Sequence, residues 1–168
     1  MHALIVASAR NTLHALNRVV SLLRGRNFHV ESMAVTRSER SEVTRLAIVV
    51  DATRTRPERV ASCLDKLEEV WSVRRVERSE VVQREAALIK FIEHSVPDEL
   101  VFAVVGSGAA RVIERSGGAA ILEIVGSPEE VDDAIGSLPP VSILEIARLG
   151  QLVMVRGKQQ TTVATPPV

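Results

Sequence analysis

Asn11, His14 and His29 are the side chains of this chain best suited to handling a ligand. An Asn amide carries two donors and an acceptor, so Asn11, just ahead of a helical pattern, fits either an N-cap or a ligand contact. His14 and His29 would bind a metal or sense pH only if a fold brought them together, and the sequence offers no third ligand. His14 reads as a solvent-facing helix residue rather than a catalytic base, because no carboxylate lies at a telling spacing. Cys63 falls on an apolar helical stripe, which points to core packing rather than reactivity. As the sole cysteine it excludes an intramolecular disulfide and a cysteine-based zinc site. Gly106-Ser107-Gly108 lacks the Lys-Ser/Thr ending of a phosphate loop. Glu145 and Arg148 read as exposed strand partners. No nucleophile, base and orienting group assemble, so the legible chemistry is binding, not catalysis.

The elements that must position these residues follow from periodicity. Ala3–Ala7 is a short apolar run, expected as a buried strand. Leu13, Leu16, Val20 and Leu23 recur at i, i+3, i+7 and i+10, one stripe of a helix that Gly25 ends. Phe28, Val30 and Ala34 share one face of an extended segment. Arg45–Val50 is β-branched and strand-like. Thr55-Arg56-Pro57-Glu58 has capping-box spacing, and Val60, Cys63, Leu64 and Leu67 form the stripe of the helix it opens. Val70–Val76 closes a β-α-β-β-α-β order. The order then recurs: strand Ala87–Ile92, a short helix over Asp98–Val105, and strands Arg111–Glu114 and Ala120–Val125 flanking Ser116-Gly117-Gly118. A capping box at Ser127-Pro128-Glu129-Glu130 opens a helix with the stripe Val131, Ala134, Ile135 and Leu138. Two strands, Ile143–Ala147 and Leu152–Val155, end the unit. The expected fold is α+β, two consecutive ferredoxin-like βαββαβ units. Their expected bounds are residues 1–78 and 79–157, with 158–168 a flexible tail.

Composition narrows the function classes. The 168 residues are 46% hydrophobic, enough for one medium or two small domains. Lys+Arg and Asp+Glu are both 21, so no net field favours nucleic acid. Aromatics are 2% and Tyr is missing, which removes the stacking platforms of single-strand and RNA-binding modules. No apolar run reaches the ~18–20 residues of a membrane span, and the apolar start has no charged lead-in, so a cytoplasmic protein is expected.

The run Asn11-Thr12-Leu13-His14-Ala15-Leu16-Asn17-Arg18 is similar to the Asn-x-x-Gly-x-Leu-x-Arg opening of the acetohydroxyacid (acetolactate) synthase regulatory-subunit family. Arg26-Asn27-Phe28-His29-Val30-Glu31-Ser32-Met33 resembles its Arg-Gly-Phe-Asn-Ile/Val-Glu-Ser-Leu motif. Thr44–Val49, the corner Leu64-Asp65-Lys66-Leu67 with Val70, Val82–Lys90, Ile143–Gly150 and Arg156-Gly157 resemble later family segments in order. Together they span nearly all of residues 3–157.

The resemblance implies that the first unit is an ACT domain that forms a homodimer, holding a branched-chain amino-acid effector between copies. Asn11, Ala15 and Val30 are the effector contacts it implies. It also implies docking on a separate catalytic subunit that carries thiamine diphosphate, Mg²⁺ and FAD, none of them bound by this chain. Glu31 fits either a buried anchor or a contact for that subunit. Two family positions differ. His14 stands where the family has Gly, in a turn where bare backbone approaches the ligand, and His29 stands where it has Asn. A weakened valine response is the expectation. A free-standing ACT-type amino-acid sensor or interaction protein is the alternative.

Overall fold

The computed structural model describes residues 2–97, 99, 101, 110–158, 160 and 161. Most of the helix expected over Asp98–Val105, the Gly106-Ser107-Gly108 run and most of the 158–168 tail lie outside these residues.

The first sheet has the order β2-β3-β1-β4. Its strands are β1 (His2–Arg10), β2 (Val30–Arg37), β3 (Val43–Asp51) and β4 (Val70–Val76), joined by helices α1 (Leu13–Gly25) and α2 (Pro57–Leu64). All three pairings are antiparallel. β1 is central, with both edges paired, and packing covers both its faces. Ile5, Ala7 and Ala9 join Leu46, Ile48 and Val50 under the helices. Leu4 and Val6 turn the other way and pack with Val49, Val76, Val81 and Val155.

Several local expectations need correction. In α1 the buried residues are Ala15, Val19 and Leu23, while Leu13 and Val20 are exposed. The i, i+4, i+8 ridge faces the sheet; Leu13 and Val20 sit on the neighbouring ridge, which a count of spacings alone does not separate. The helix does end at Gly25, but the left-handed residue that turns the chain is Asn27, at φ 53°. Asn tolerates that conformation better than most side chains. In β2 a bulge between Val30 and Ser32 resets the alternation. Phe28, Val30 and Met33 therefore pack on the helix-side core, whereas Ala34 pairs with Ala47 on the opposite face.

The capping box at Thr55 does not form. The N-cap of α2 is Arg56, without a side-chain cap. Buried Thr55 turns its hydroxyl to accept from the His29 N–H at 2.8 Å, tying the start of β2 to the start of α2. Cys63 is half-buried beside the fully buried Val60 and Leu64.

The second sheet has the order β6-β7-β5-β8. Its elements are β5 (Val81–Ile92), β6 (Ala110–Ser116), β7 (Ala119–Gly126), helix α3 (Pro128–Gly136) and β8 (Ile143–Val155). Gly117 and Gly118, at φ 59° and 78°, make the two-residue turn between Ser116 and Ala119; two consecutive left-handed residues are what such a hairpin demands. The capping box at Ser127 forms as expected, with Glu130 reaching back to the Ser127 N–H at 2.6 Å. A Cβ on Gly126 would meet Glu130 Oε2 at 2.8 Å, so the cap needs a glycine there. The core gathers Ala87, Ile89, Phe91, Leu122, Ile124, Val131 and Leu138. The two closing strands expected at Ile143–Ala147 and Leu152–Val155 are one strand of 13 residues.

Contacts group the chain into two compact units. One comprises residues up to Val82 together with those from Leu152 onward; the other is Gln83–Gln151. The return of the chain end to the first unit follows from Val153 and Val155, which pack against Leu4, Val6, Val49 and Val76.

Candidate effector site

Hydrogen bonds of Asn11 and Thr12 shape the turn from β1 into α1. The Asn11 N–H donates to Glu42 O at 2.8 Å. The Asn11 amide donates to Ser41 O, also at 2.8 Å, so the side chain clasps the β2–β3 turn. The N-cap itself is Thr12, whose hydroxyl accepts from the Ala15 N–H at 3.2 Å. Of the two roles open to Asn11, capping thus belongs to its neighbour. The first N–H groups of a helix point outward without intrahelical acceptors, with the positive end of the dipole behind them. An α-carboxylate is the natural guest at such a place.

Beside this turn lies a cleft of about 300 Å³ lined by Arg10, Thr12, His14, Glu68 and Glu69. His14 is largely exposed on the first turn of α1, yet it is not unpartnered: Nε2 lies 3.2 Å from Glu69 Oε1. Arg18, one turn on, approaches the same oxygen at 3.7 Å. The other oxygen, Oε2, is buried with no hydrogen-bond partner. Glu69 sits just before β4, and its carbonyl accepts from the Arg10 N–H. Fifty-odd residues separate Glu69 from His14, so no spacing could have paired them; the adjacency of β1 and β4 does. The hint open to the sequence was the order βαββαβ, which places the last strand beside the first.

The Glu69 carboxyl is held below its ordinary value by a hydrogen bond from its own N–H first, with Arg18 and His14 adding to the effect. Folding that lowers a carboxyl pKa stabilises the protein at neutral pH; the gain fades as pH falls below about 4.5 and is lost below the folded-state value. Glu69→Gln should therefore flatten the loss of stability as pH falls below about 5. Denaturant midpoints across that range measure it; an unchanged slope would show that Glu69 has no part in acid sensitivity.

The other expected contacts are placed as follows. Ala15 is fully buried on the sheet-facing side of α1. Val30 pairs with Val50 and packs on the helix-side core. His29 Nδ1 lies 3.5 Å from the Thr55 hydroxyl. Arg10 is opposite Val43 and Val30 opposite Val50, so the two motifs lie at opposite ends of β3, about 23 Å apart at 3.3 Å per residue. One copy therefore does not bring Asn11 and Val30 together, nor His14 and His29. Among the described residues no group of three or more His, Cys, Asp or Glu could hold a metal, and no helix is long and apolar enough to cross a membrane.

The fold and this turn define a two-unit protein with an ACT domain at its front. The ACT domain family model matches residues 11–73, and the model for the small subunit of acetolactate synthase matches residues 84–157. A probable acetolactate synthase small subunit from Archaeoglobus fulgidus is 32% identical over 158 residues, 93% of this chain and 98% of its own. The acetolactate synthase small subunit of Bacillus subtilis is 29% identical over 95% of this chain and 94% of its own. The crystal structure of the small subunit from Thermotoga maritima superimposes with a TM-score of 0.79 at 30% identity, covering 95% of this chain and 99% of that one. The chain belongs to the acetolactate synthase small subunit family.

Proposed function

We propose that this chain is a non-catalytic regulatory subunit that binds and activates a separate thiamine-diphosphate-dependent acetolactate synthase of branched-chain amino-acid biosynthesis, with a weakened valine response. The observation that carries the reading is similarity to acetolactate synthase small subunits along almost the whole length of both proteins. Thiamine diphosphate, Mg²⁺ and FAD belong on the catalytic partner. Residues 1–78 serve as the effector and dimer module and 79–157 as its companion.

The effector site is shared between two copies. β2 is an edge strand of the first sheet. Antiparallel pairing of two β2 edges carries Val30 and His29 of one copy to the far end of β2 in the other. There the Arg37–Val43 connection leads to Ser41, the residue that Asn11 clasps. A guest in that gap meets the start of α1 from one side and the start of β2 from the other. An effector acts only through its different affinity for the active and inactive assemblies.

His14 supports the weakened response. Its ring projects from the first turn of α1 and is anchored by Glu69, so the bare-backbone approach that a glycine gives is closed. Loss of one contact to a charged ligand group costs ~1.5–3 kcal/mol, roughly one to two decades of affinity. Titration calorimetry of the purified protein with valine should show no micromolar binding, and His14→Gly should tighten it by about 10–100-fold. Micromolar valine binding by the unaltered chain would contradict the reading.

A further inference from the structure

We infer that the arginine-rich end of the first unit, around Phe28, is the surface that docks on the catalytic subunit, and that it takes an acidic segment of that protein. The regulatory role is taken as given; what is added is the face that binds and the charge it selects.

Two stretches that lie apart in the chain meet at this end. The Phe28 N–H donates to Leu23 O as α1 finishes, the His29 N–H donates to the Thr55 hydroxyl at 2.8 Å, and the Asp51 N–H donates to His29 O at 3.0 Å. The Arg59 guanidinium sits 6.0 Å from the centre of the Phe28 ring. Arg24 and Arg26 thus share one end of the unit with Arg54, Arg56 and Arg59, and all five are exposed. Residues 24–29 and 51–59 hold five arginines against two acids, in a chain whose net charge is zero. Those acids are engaged elsewhere: Asp51 by the Thr53 N–H and hydroxyl, Glu58 by Arg75. Glu31, the next acid along, pairs with His2. Among the described residues none of the five arginines is in a salt bridge. Arg54 and Arg56 act on Asp51 and Glu58 only from beyond that distance. α2 opens at Arg56 with no side-chain cap, so its positive end adds to the same field.

The chemistry of the patch narrows the occupant. Its cations are all guanidinium groups, with no lysine in either stretch. A guanidinium fork meets a carboxylate with two parallel hydrogen bonds, and uncompensated charge speeds encounter with an opposite patch. A bilayer would need apolar side chains to insert, and none of the exposed large apolar residues lies in either stretch. A nucleic acid strand would need a free aromatic face, and Phe28, the aromatic there, lies under Arg59. α2 packs on β1 and β4, so its start lies inward of the β2 edge. A catalytic subunit can therefore dock here while that edge is occupied. The same end also holds the effector motif. Thr55, next to Arg56, anchors His29, so a guest at His29 lies one hydrogen bond from the docking surface.

Association of the full chain with the purified catalytic subunit, followed by stopped flow at about 50 and 500 mM salt, tests the surface. Arg54→Glu with Arg56→Glu should slow the on-rate by about 10-fold or more at low salt and remove most of its salt dependence. Arg54→Lys with Arg56→Lys should keep the on-rate and raise the off-rate, since an ammonium keeps the charge but not the fork. Arg84→Glu with Lys90→Glu makes the same change of charge at exposed positions of the second sheet and should leave the on-rate within about twofold. Unfolding midpoints and light scattering check that each variant folds and keeps the mass of the unaltered chain. Equal slowing by both acidic pairs, or none by Arg54→Glu with Arg56→Glu, would overturn the surface while leaving the regulatory role in place. Duplex DNA bound as tightly as the synthase, and lost in the same variant, would overturn it too. No complex with the unaltered chain would remove both the surface and the role.

Discussion

Phe91→Ala should lower the unfolding free energy by about 3–5 kcal/mol. The ring is only 1% exposed and is the largest side chain in the second core. It stands opposite Ala120, itself 1% exposed, so the residue across the strand is too small to fill the space. Its neighbours Ile89, Leu122 and Ile124 are fixed on the strands of one sheet and can close the gap only by bending it. The loss should appear as reduced hydrogen-exchange protection across β5, β7 and α3. Equilibrium denaturation with exchange mass spectrometry reads both numbers, and a loss below about 1 kcal/mol would mean that this core relaxes far more easily than its packing implies.

Arg148→Ala should cost about 2–3 kcal/mol. The guanidinium donates to Glu85 at 2.6 Å and to Asp132 at 2.7 Å, joining β8, β5 and α3. Glu85 is 7% exposed, so removing its partner leaves a carboxylate without water or counter-ion. The expected cost is below that of a fully buried pair because the Arg148 side chain remains 38% exposed. Arg148→Lys should recover little, since one ammonium cannot fork to two carboxylates at fixed angles. Adding Glu85→Leu to Arg148→Ala should regain part of the loss by removing the stranded charge. A double-mutant cycle in denaturant tests this; additive losses would show that the two residues do not interact.

These two residues also show how far the sequence could be read. Phe91 lies in a strand that was legible, as were the βαββαβ order, the Ser127 capping box and the glycine hairpin. Each depends on neighbours within a few positions. Arg148 looked like an exposed strand residue because its partners are 63 and 16 positions away, and only the fold collects them. Glu69 was overlooked beside His14 for the same reason. The α1 stripe was misplaced by one ridge because Leu13, Leu16, Val20 and Leu23 satisfy helical spacing as well as Ala15, Val19 and Leu23 do. Size favoured the leucines, while the close approach of helix to sheet favoured alanine at position 15. Thr55 had the spacing of a cap, but the His29 N–H, which a turn leaves without a ladder partner, claimed its hydroxyl. Phase errors of this kind arise where a bulge or a competing hydrogen bond intervenes, and neither leaves a periodic trace.

The account rests on the claim that this chain tunes a reaction performed by another polypeptide. The direct measurement is acetolactate formation from pyruvate by the purified thiamine-diphosphate catalytic subunit, alone and with an equimolar amount of this chain, each with and without valine. Several-fold stimulation on mixing, largely kept in the presence of valine, is the expected result. No stimulation and no complex would contradict it, as would acetolactate formation by this chain on its own.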